Sequence, residues 1–450
     1  MPGSDVIAAI ATPAGRGGVG IVRVSGPDVS PIVDGMLGRV LRPRVATRAS
    51  FCGAHGEVLD EGLALFFPAP GSYTGESVLE LHGHGGPAVL ALLLKRCLEL
   101  GARIADPGEF TKRAFLNDKI DLAQAEAVAD LIDATTTTAA RAATRSLSGE
   151  FSREVSGVVD ALVELRAFTE ATLDFPEEDI EFLRAADAKG KLSALQDRVA
   201  AVAARGRQGR LLREGLDAVI VGKPNVGKSS LLNRLVGDEV AIVTPIAGTT
   251  RDAIRSSIEI RGIPIHVIDT AGLRLAVDDV ERIGIERTWA AISRADLALV
   301  VTDAAKQQDL ESDPLVAKLP RSLPRIIVRN KIDLIGEEAR TTANGSTSSV
   351  WLSAKTGAGI DLLEEAILDA VGAHEDMEGT FLARERHLHA LSSALAHLAA
   401  AAAHMETAAP PLELFAEELR AAQNALSSIT GQFAADDLLG EIFGRFCIGK

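Results

Sequence analysis

Gly222-Lys223-Pro224-Asn225-Val226-Gly227-Lys228-Ser229, Asp269-Thr270-Ala271-Gly272 and Asn330-Lys331-Ile332-Asp333 are the residues of this chain whose types and spacing could do chemistry. In the first element, Gly222 and Gly227 let the backbone turn its N–H groups inward around phosphate oxygens, where a Cβ would obstruct. Lys228 supplies charge to the β and γ phosphates, and the Ser229 hydroxyl ligates magnesium. Val226 and Ser230 flank these contacts, and the helix that starts here adds its positive end. The second element brings Asp269 to the magnesium shell and Gly272 to the γ-phosphate, with Thr270 and Ala271 between them. In the third, Asn330 and Asp333 read the base beside Lys331. A carboxylate accepts from N1–H and the exocyclic amine of guanine, whereas adenine offers no such pair of donors. Ser353-Ala354-Lys355 fits a backbone contact to the guanine carbonyl. Together, in this order, the elements describe a guanine-nucleotide switch that takes GTP over ATP.

Between the first two elements, Gly248-Thr249-Thr250-Arg251-Asp252 offers magnesium a second hydroxyl, in a loop that orders only with triphosphate bound. Spacing does not separate Thr249 from Thr250 for that role. Many switch GTPases carry glutamine directly after Asp-x-x-Gly to orient the attacking water. Here Leu273 stands in that place, and an apolar side chain cannot polarise water. Asp278, Asp279, Glu281 and Glu286 follow, and their spacing does not choose among them. A solvated carboxylate at a helix start is the plain alternative for each.

These residues need elements to hold them. Asp217 to Val221, Ile263 to Ile268, Arg325 to Arg329 and Val350 to Leu352 read as strands, and Ser229 to Leu235 as a helix. Strands alternate with helices from about 216 to 372, which predicts a parallel sheet in α/β packing. Residues 1 to about 118 mix short apolar runs (Val6 to Ile10, Val19 to Val24, Leu63 to Phe67, Val78 to Leu81) with glycine turns and one helix, Pro87 to Leu100. Helical periodicity starts near 119, with Val155, Val158, Val159, Leu162 and Val163, then Leu192, Leu195 and Val199. It returns near 380. One helical domain interrupted by the nucleotide domain is expected, because isolated short bundles bury less core. The expected fold is multidomain, α/β plus α, with boundaries 1–118, 119–214, 215–373 and 374–450.

The 450 residues suit roughly two to four domains, and a 47% hydrophobic content argues for folded ones. No apolar run reaches the ~18 residues of a membrane span, and the N-terminus lacks the plan of a signal peptide. Three cysteines, Cys52, Cys97 and Cys447, form no metal-like cluster and suggest reduced thiols in a cytoplasmic protein. The net charge of −15 opposes long-range attraction to nucleic acid. An RNA partner therefore needs a second protein or a local basic surface, either Arg39, Arg42, Arg44 and Arg48 or Arg205, Arg207, Arg210 and Arg213. Solvated surface charge is the plain reading of both groups.

With the glycine loop, Gly-Thr-Thr-Arg-Asp and Leu273 in place, the stretch Asp269-Thr270-Ala271-Gly272-Leu273-Arg274 to Val280-Glu281-Arg282-Ile283-Gly284-Ile285-Glu286-Arg287 resembles the tRNA modification GTPase family MnmE, also called TrmE. Two distant segments agree. They are Pro107-Gly108-Glu109-Phe110-Thr111-Lys112-Arg113-Ala114-Phe115-Leu116-Asn117 to Asp121-Leu122-Ala123-Gln124-Ala125-Glu126-Ala127, and Phe446-Cys447-Ile448-Gly449-Lys450. The resemblance implies an N-terminal α+β domain that binds folate and dimerises the protein. It implies a helical domain built from both sides of an inserted, Ras-like P-loop G domain, which pairs with its twin when potassium is present. It further implies a homodimer that joins an FAD-dependent partner of the MnmG/GidA type in a heterotetramer and acts on tRNA. Such enzymes install a carboxymethylaminomethyl or aminomethyl group on C5 of the wobble uridine. The carbon comes from a tetrahydrofolate, in its 5-formyl or 5,10-methylene form.

By the same resemblance, Asn225, Thr244, Ile246 and Thr249 hold potassium, and Ser229 and Thr250 hold magnesium. Pro245, Ala247 and Gly248 line the nucleotide with them. Glu281 organises the attacking water, and Arg274 has a like role in the switch. Arg23, Glu80, Lys119 and Lys450 match folate-binding positions; cations suit the glutamate tail and a carboxylate suits the pterin edge. Cys447 falls near the modification chemistry, as nucleophile, acid or spacer.

Three other signals lead elsewhere. Gly15-Arg16-Gly17-Gly18-Val19-Gly20 satisfies G-x-G-x-x-G, but Ile21 to Val24 continues as a strand, so no helix end meets a pyrophosphate. His82 and His84 lack a further ligand and are expected to be structural or to line a pocket. Cys447 stands four residues from the end as in a prenylation box, but Gly449 and Lys450 do not suit that motif.

Overall fold

The computed structural model describes residues 5–174, 187–236, 255–269, 292–293, 295–306, 314–344, 347–373, 379–407, 410–432, 436–444 and 446–449. The chain divides into two compact units. The first comprises Met1–Ala129, Arg145–Val202 and His389–Lys450, the second Asp130–Thr144 and Ala203–Leu388.

The first unit opens with strands β1 (Ile7–Ile10), β2 (Gly17–Gly26), β3 (Thr47–Cys52), β4 (Val58–Phe67), β5 (Ser77–Gly85) and β6 (Arg103–Ile104), interleaved with helices α1 (Ser30–Leu37) and α2 (Pro87–Glu99). They form a six-stranded sheet in the order β3-β4-β5-β2-β1-β6. Pairing is antiparallel except between β1 and β6. Strand alternation sorts the side chains. Val22, Val24, Leu79 and Leu81 enter one core with Phe51, Leu90, Leu93 and Cys97. Arg23 and Glu80, directly opposite each other across β2 and β5, therefore fall on the other face. There Ile7 and Ala9 meet Phe110 of α3 (Glu109–Leu116). The G-x-G-x-x-G segment enters strand β2, with a register shift between Gly17 and Gly20.

Helices α4 (Leu122–Asp133), α5 (Thr137–Leu147), α6 (Glu150–Asp174) and α7 (Ala188–Glu214) follow. Val155, Val158, Val159 and Leu162 of α6 are buried as the periodicity predicts; Val163 is exposed and Leu165 takes its place inside. That departure is geometric: Leu165 is three residues beyond Leu162, whereas Val163 is rotated off the stripe.

The second unit holds β7 (Leu216–Val221), α8 (Lys228–Val236), β8 (Arg255–Ile260), β9 (Ile263–Asp269), β10 (Leu297–Asp303), α9 (Pro314–Ala317), β11 (Arg325–Asn330), β12 (Arg340–Asn344), β13 (Thr347–Leu352) and α10 (Ile360–Ala370). Its seven-stranded sheet runs β12-β13-β11-β10-β7-β9-β8. The five central strands are parallel and the two edges antiparallel. Ala218 and Ile220 enter one core while Val219 and Val221 enter another, so both faces are covered, as a parallel sheet requires. The sequence sets its boundaries at 215 and 373; this unit also takes in Asp130–Thr144 and flanking helical residues, because Ala142, Ala143, Leu212 and Leu382 share the sheet's core. The Thr136 hydroxyl also donates to the Gly262 carbonyl, 3.0 Å away. Helices α11 (Glu385–Met405), α12 (Leu412–Thr430) and α13 (Asp436–Gly444) complete the chain. In the first unit α12 packs along α6, and the Arg166 guanidinium donates to Gln423 at 2.5 Å.

Candidate nucleotide and folate sites

The glycine loop leaves the C-terminal end of β7 and enters α8 at Lys228, where open parallel sheets bind their ligands. Gly222 has φ +153°, and a Cβ there would lie 2.3 Å from the Val301 carbonyl oxygen. Gly227 has φ +99°, and its Cβ would meet the Asn330 side-chain nitrogen at 2.3 Å. Both positions require glycine. The Lys228 ammonium donates to the Gly222 and Lys223 carbonyls, at 2.9 and 3.0 Å, which holds it at the mouth of the loop. Ser229 and Ser230 lie exposed on the first turn of α8.

Asn330, at the end of β11, is 2% exposed and ties the site together. Its amide nitrogen donates to the Val226 carbonyl at 2.9 Å. Its oxygen accepts the N–H groups of Lys331 and Ala354, at 2.8 and 2.9 Å. Three of its four hydrogen-bonding positions are thus used among the described residues, leaving one N–H for a base. The sequence reading has Asn330 as a base reader; here it is first a clamp between the glycine loop and the Ser353-Ala354-Lys355 loop. Lys331, in a left-handed conformation at φ +73°, reaches back to the Asn225 carbonyl at 2.7 Å and to the Asp303 carboxylate at 2.9 Å. Burial pushes the Asp303 carboxyl up, but the Lys331 ammonium and the Ala305 N–H outweigh it and hold it below the ordinary range. The exposed Asp333 accepts from the Ser353 hydroxyl at 2.6 Å, which orients its carboxylate. Sequence reasoning missed Arg234. From α8 its guanidinium donates to the Ala354 and Lys355 carbonyls, at 3.2 and 2.8 Å, supporting the base loop from beneath. Asp269 closes β9. Thr244, Pro245, Ile246, Ala247, Gly248, Thr249, Thr250, Thr270, Ala271, Gly272, Arg274 and Glu281 lie outside the described residues, as do Asp278, Asp279 and Glu286.

In the first unit, the Arg23 guanidinium pairs with the Glu80 carboxylate at 2.9 Å, and His82 meets the other Glu80 oxygen at 3.1 Å. Tyr73 and Phe110 each place a ring centre 5.7 Å from the guanidinium carbon of Arg23. Burial pushes the Tyr73 phenol up, against its bond to Thr111. Lys119 donates to the Pro70 carbonyl at 3.0 Å, so it reaches the same 70–76 loop that carries Tyr73. Beneath this, Arg113 is 3% exposed and gathers Glu76, Glu109 and Asp5 into one network. Burial raises the Glu109 carboxyl, but Arg103, the Asp106 N–H and Arg113 bring it below the ordinary range. The C-terminal segment arrives at the same place: the Gly108 N–H faces the Cys447 carbonyl at 3.4 Å, and Gly449 packs on Ile10. Cys447 is exposed, and Lys450 lies outside the described residues. Tyr73 is the chain's single tyrosine, and no charge or spacing marks it in the sequence; Phe110 lies in the Pro107–Asn117 stretch, but no role is read for it there.

His84 pairs with Asp60 at 2.7 Å, which gives it a structural partner. Among the described residues no group of three or more metal-ligating side chains is present. Cys97 is buried, its thiol pushed up to about 12 by desolvation, which makes it inert packing. No described helix is long and apolar enough to cross a membrane.

Comparison with known proteins fits this layout. Residues 6–119 match the family model of the GTP-binding protein TrmE N-terminus, and residues 122–447 that of the MnmE helical domain. The chain belongs to the MnmE family. The MnmE protein of Thiobacillus denitrificans, a tRNA modification GTPase, is 59% identical over 449 residues, spanning 100% of this chain and 99% of that one. That of Chromobacterium violaceum, described in the same words, is 58% identical, spanning 99% and 98%. The MnmE likeness thus runs through both units.

Proposed function

We propose that this chain is a potassium-activated GTPase that works in tRNA modification. With an FAD-dependent partner it forms the carboxymethylaminomethyl or aminomethyl group at C5 of the wobble uridine, using a tetrahydrofolate one-carbon unit. The observation that carries this reading is the coexistence, on one chain, of a guanine loop clamped by Asn330 and an Arg23–Glu80 pair beside the Cys447 segment. Relatives similar over their whole length, named as tRNA modification GTPases, support it.

The proposed roles follow from residue chemistry. Lys228 swings from the loop carbonyls to the β and γ phosphates, and Ser229 with Thr250 holds magnesium. The Asp333 carboxylate, oriented by Ser353, takes the guanine edge. Asn225 with Thr244, Ile246 and Thr249 would hold potassium, which would supply positive charge to the phosphates where other systems use an arginine. Glu281 positions the water that Leu273 cannot. In the first unit Arg23, Lys119 and Lys450 receive the folate carboxylates while Glu80 takes the pterin edge. The protein acts as a cytoplasmic homodimer.

Mass spectrometry of tRNA nucleosides from cells lacking the protein tests the reading. The C5-modified wobble uridines should disappear and return on complementation. Unchanged nucleosides would reject the assignment.

A further inference from the structure

The stretch from Gly35 to Gly56 holds no aspartate or glutamate, in a chain that has 62 of them. Arg39, Arg42, Arg44 and Arg48 all fall in it, and all are exposed. It runs from the end of α1 through β3, the edge strand of the six-stranded sheet, into the turn before β4, with Arg39, Arg42 and Arg44 in the connection and Arg48 in β3. The backbone there is tied down. The Val45 N–H donates to the Arg42 carbonyl at 3.3 Å, and the Arg44 N–H to the Phe66 carbonyl of β4 at 2.8 Å. Two guanidiniums are also fixed: Arg39 donates to the Arg48 carbonyl at 3.3 Å, and Arg44 to the Gly71 carbonyl. A neutral carbonyl holds a guanidinium in place without cancelling its charge, and the remaining N–H groups still present a planar fork.

The second arginine group differs. Arg205 sits 5.4 Å from the centre of the Phe381 ring. Arg210 pairs with Glu385 at 2.8 Å, and Arg213 with Asp130 at 2.8 Å. Two of its four guanidiniums thus have carboxylate partners within the protein. In the first group, among the described residues, only Arg48 has a carboxylate partner, the exposed Glu61 at 3.1 Å, and such surface pairs are weak.

We propose that this arginine turn is the face on which the chain takes the phosphate backbone of tRNA. The proposal rests on the functional reading above and names the surface that would serve it. Arg39 and Arg44, held by carbonyls and without a carboxylate partner among the described residues, are suited to phosphates, and with Arg42 they offer an acidic chain the local basic surface that RNA contact demands. An acidic protein is the weaker fit. The patch exposes Val40 and Val45 but no aromatic side chain, short of the anchor on which protein interfaces centre.

The test is fluorescence anisotropy of a labelled, unmodified tRNA transcript titrated with the full chain at several potassium chloride concentrations. Changing Arg39, Arg42 and Arg44 together to alanine should weaken binding about tenfold or more near 0.1 M salt. It should also lower the salt slope by about one for each phosphate no longer neutralised. The triple lysine variant should keep the slope, and GTP hydrolysis without RNA should be unaltered in both. An alanine variant that binds with parental affinity and slope overturns the proposal, as does a lysine variant that weakens as much as the alanine one. Loss of flavoprotein association with tRNA affinity intact would assign the patch to a protein instead and overturn it too. If the parent shows no salt-dependent tRNA binding the surface is rejected, while the nucleoside measurement still decides the function.

Discussion

At the scale of single residues, Asn225 joins a backbone demand to a chemical one. Its φ of +60° is a conformation that asparagine tolerates better than most side chains. Its carbonyl accepts the Lys331 ammonium, so the turn is held through the main chain. Removing the carboxamide while keeping the turn therefore isolates its chemistry. If Asn225 holds the proposed potassium, Asn225→Gly should lose a preference for potassium over sodium in GTP hydrolysis, with nucleotide affinity within a few-fold of the parent. Asn225→Ala should show the same loss and, in addition, about 1–2 kcal/mol of strain as a lowered unfolding midpoint. A glycine variant still stimulated by potassium would remove Asn225 from the cation's ligands. The residue types of the loop are legible in sequence because glycine and lysine have few other reasons to recur at this spacing. The clamp made by Asn330 is not, because sequence spacing carries no record of which loops a buried amide joins.

At the scale of elements, α8 does two jobs: its N-terminus faces the phosphate loop, and Arg234 in its last turn supports the base loop. The head of Arg234 bonds two carbonyls from an exposed position, so its loss should loosen the 353–355 loop more than it destabilises the fold. Arg234→Ala should weaken guanine nucleotide binding about tenfold, equivalent to about 1.4 kcal/mol, in a fluorescent-nucleotide titration, with unfolding nearly unchanged. Arg234→Lys, with one donor head instead of a fork, should fall between the two. Parental affinity in the alanine variant would show that the loop holds itself. Of the central strands of this sheet, β7, β9, β11 and the end of β13 are legible as apolar runs, whereas β10, buried along its whole length, is not among the strands read from the sequence. The edge strands β8 and β12, and β3 in the other sheet, are not; Arg255-Ser256-Ser257, Arg340-Thr341-Thr342 and Thr47-Arg48 are polar sequences that become strands only by pairing with a neighbour. Helix α1, eight residues opening on Ser30-Pro31, is likewise too short to announce itself by period.

At the scale of the whole chain, the first unit joins sequence extremes. Residues 446–449 meet β1 and the start of α3, beside the sheet face that carries Arg23 and Glu80. Two glycines make this approach possible. Gly108, at φ +67°, would put a Cβ 2.7 Å from the Phe443 carbonyl, and Gly449, at φ +99°, would put one 2.2 Å from the Ile10 carbonyl. A methyl group at 449 is thus opposed by both backbone conformation and a carbonyl that belongs to a paired strand and cannot yield cheaply. Gly449→Ala should detach the last residues while Phe446, packed with Phe443, Leu122 and Leu439, keeps α13 in place. If Lys450 and Cys447 serve the folate site, titration calorimetry with 5-formyltetrahydrofolate should show affinity falling about tenfold or more in Gly449→Ala. A chain ending at residue 446, which keeps Phe446, should fall as far, and basal GTP hydrolysis should stay at the parental rate in both. Unaltered folate affinity in the two variants would leave Arg23, Glu80 and Lys119 as the site and reduce the tail to packing.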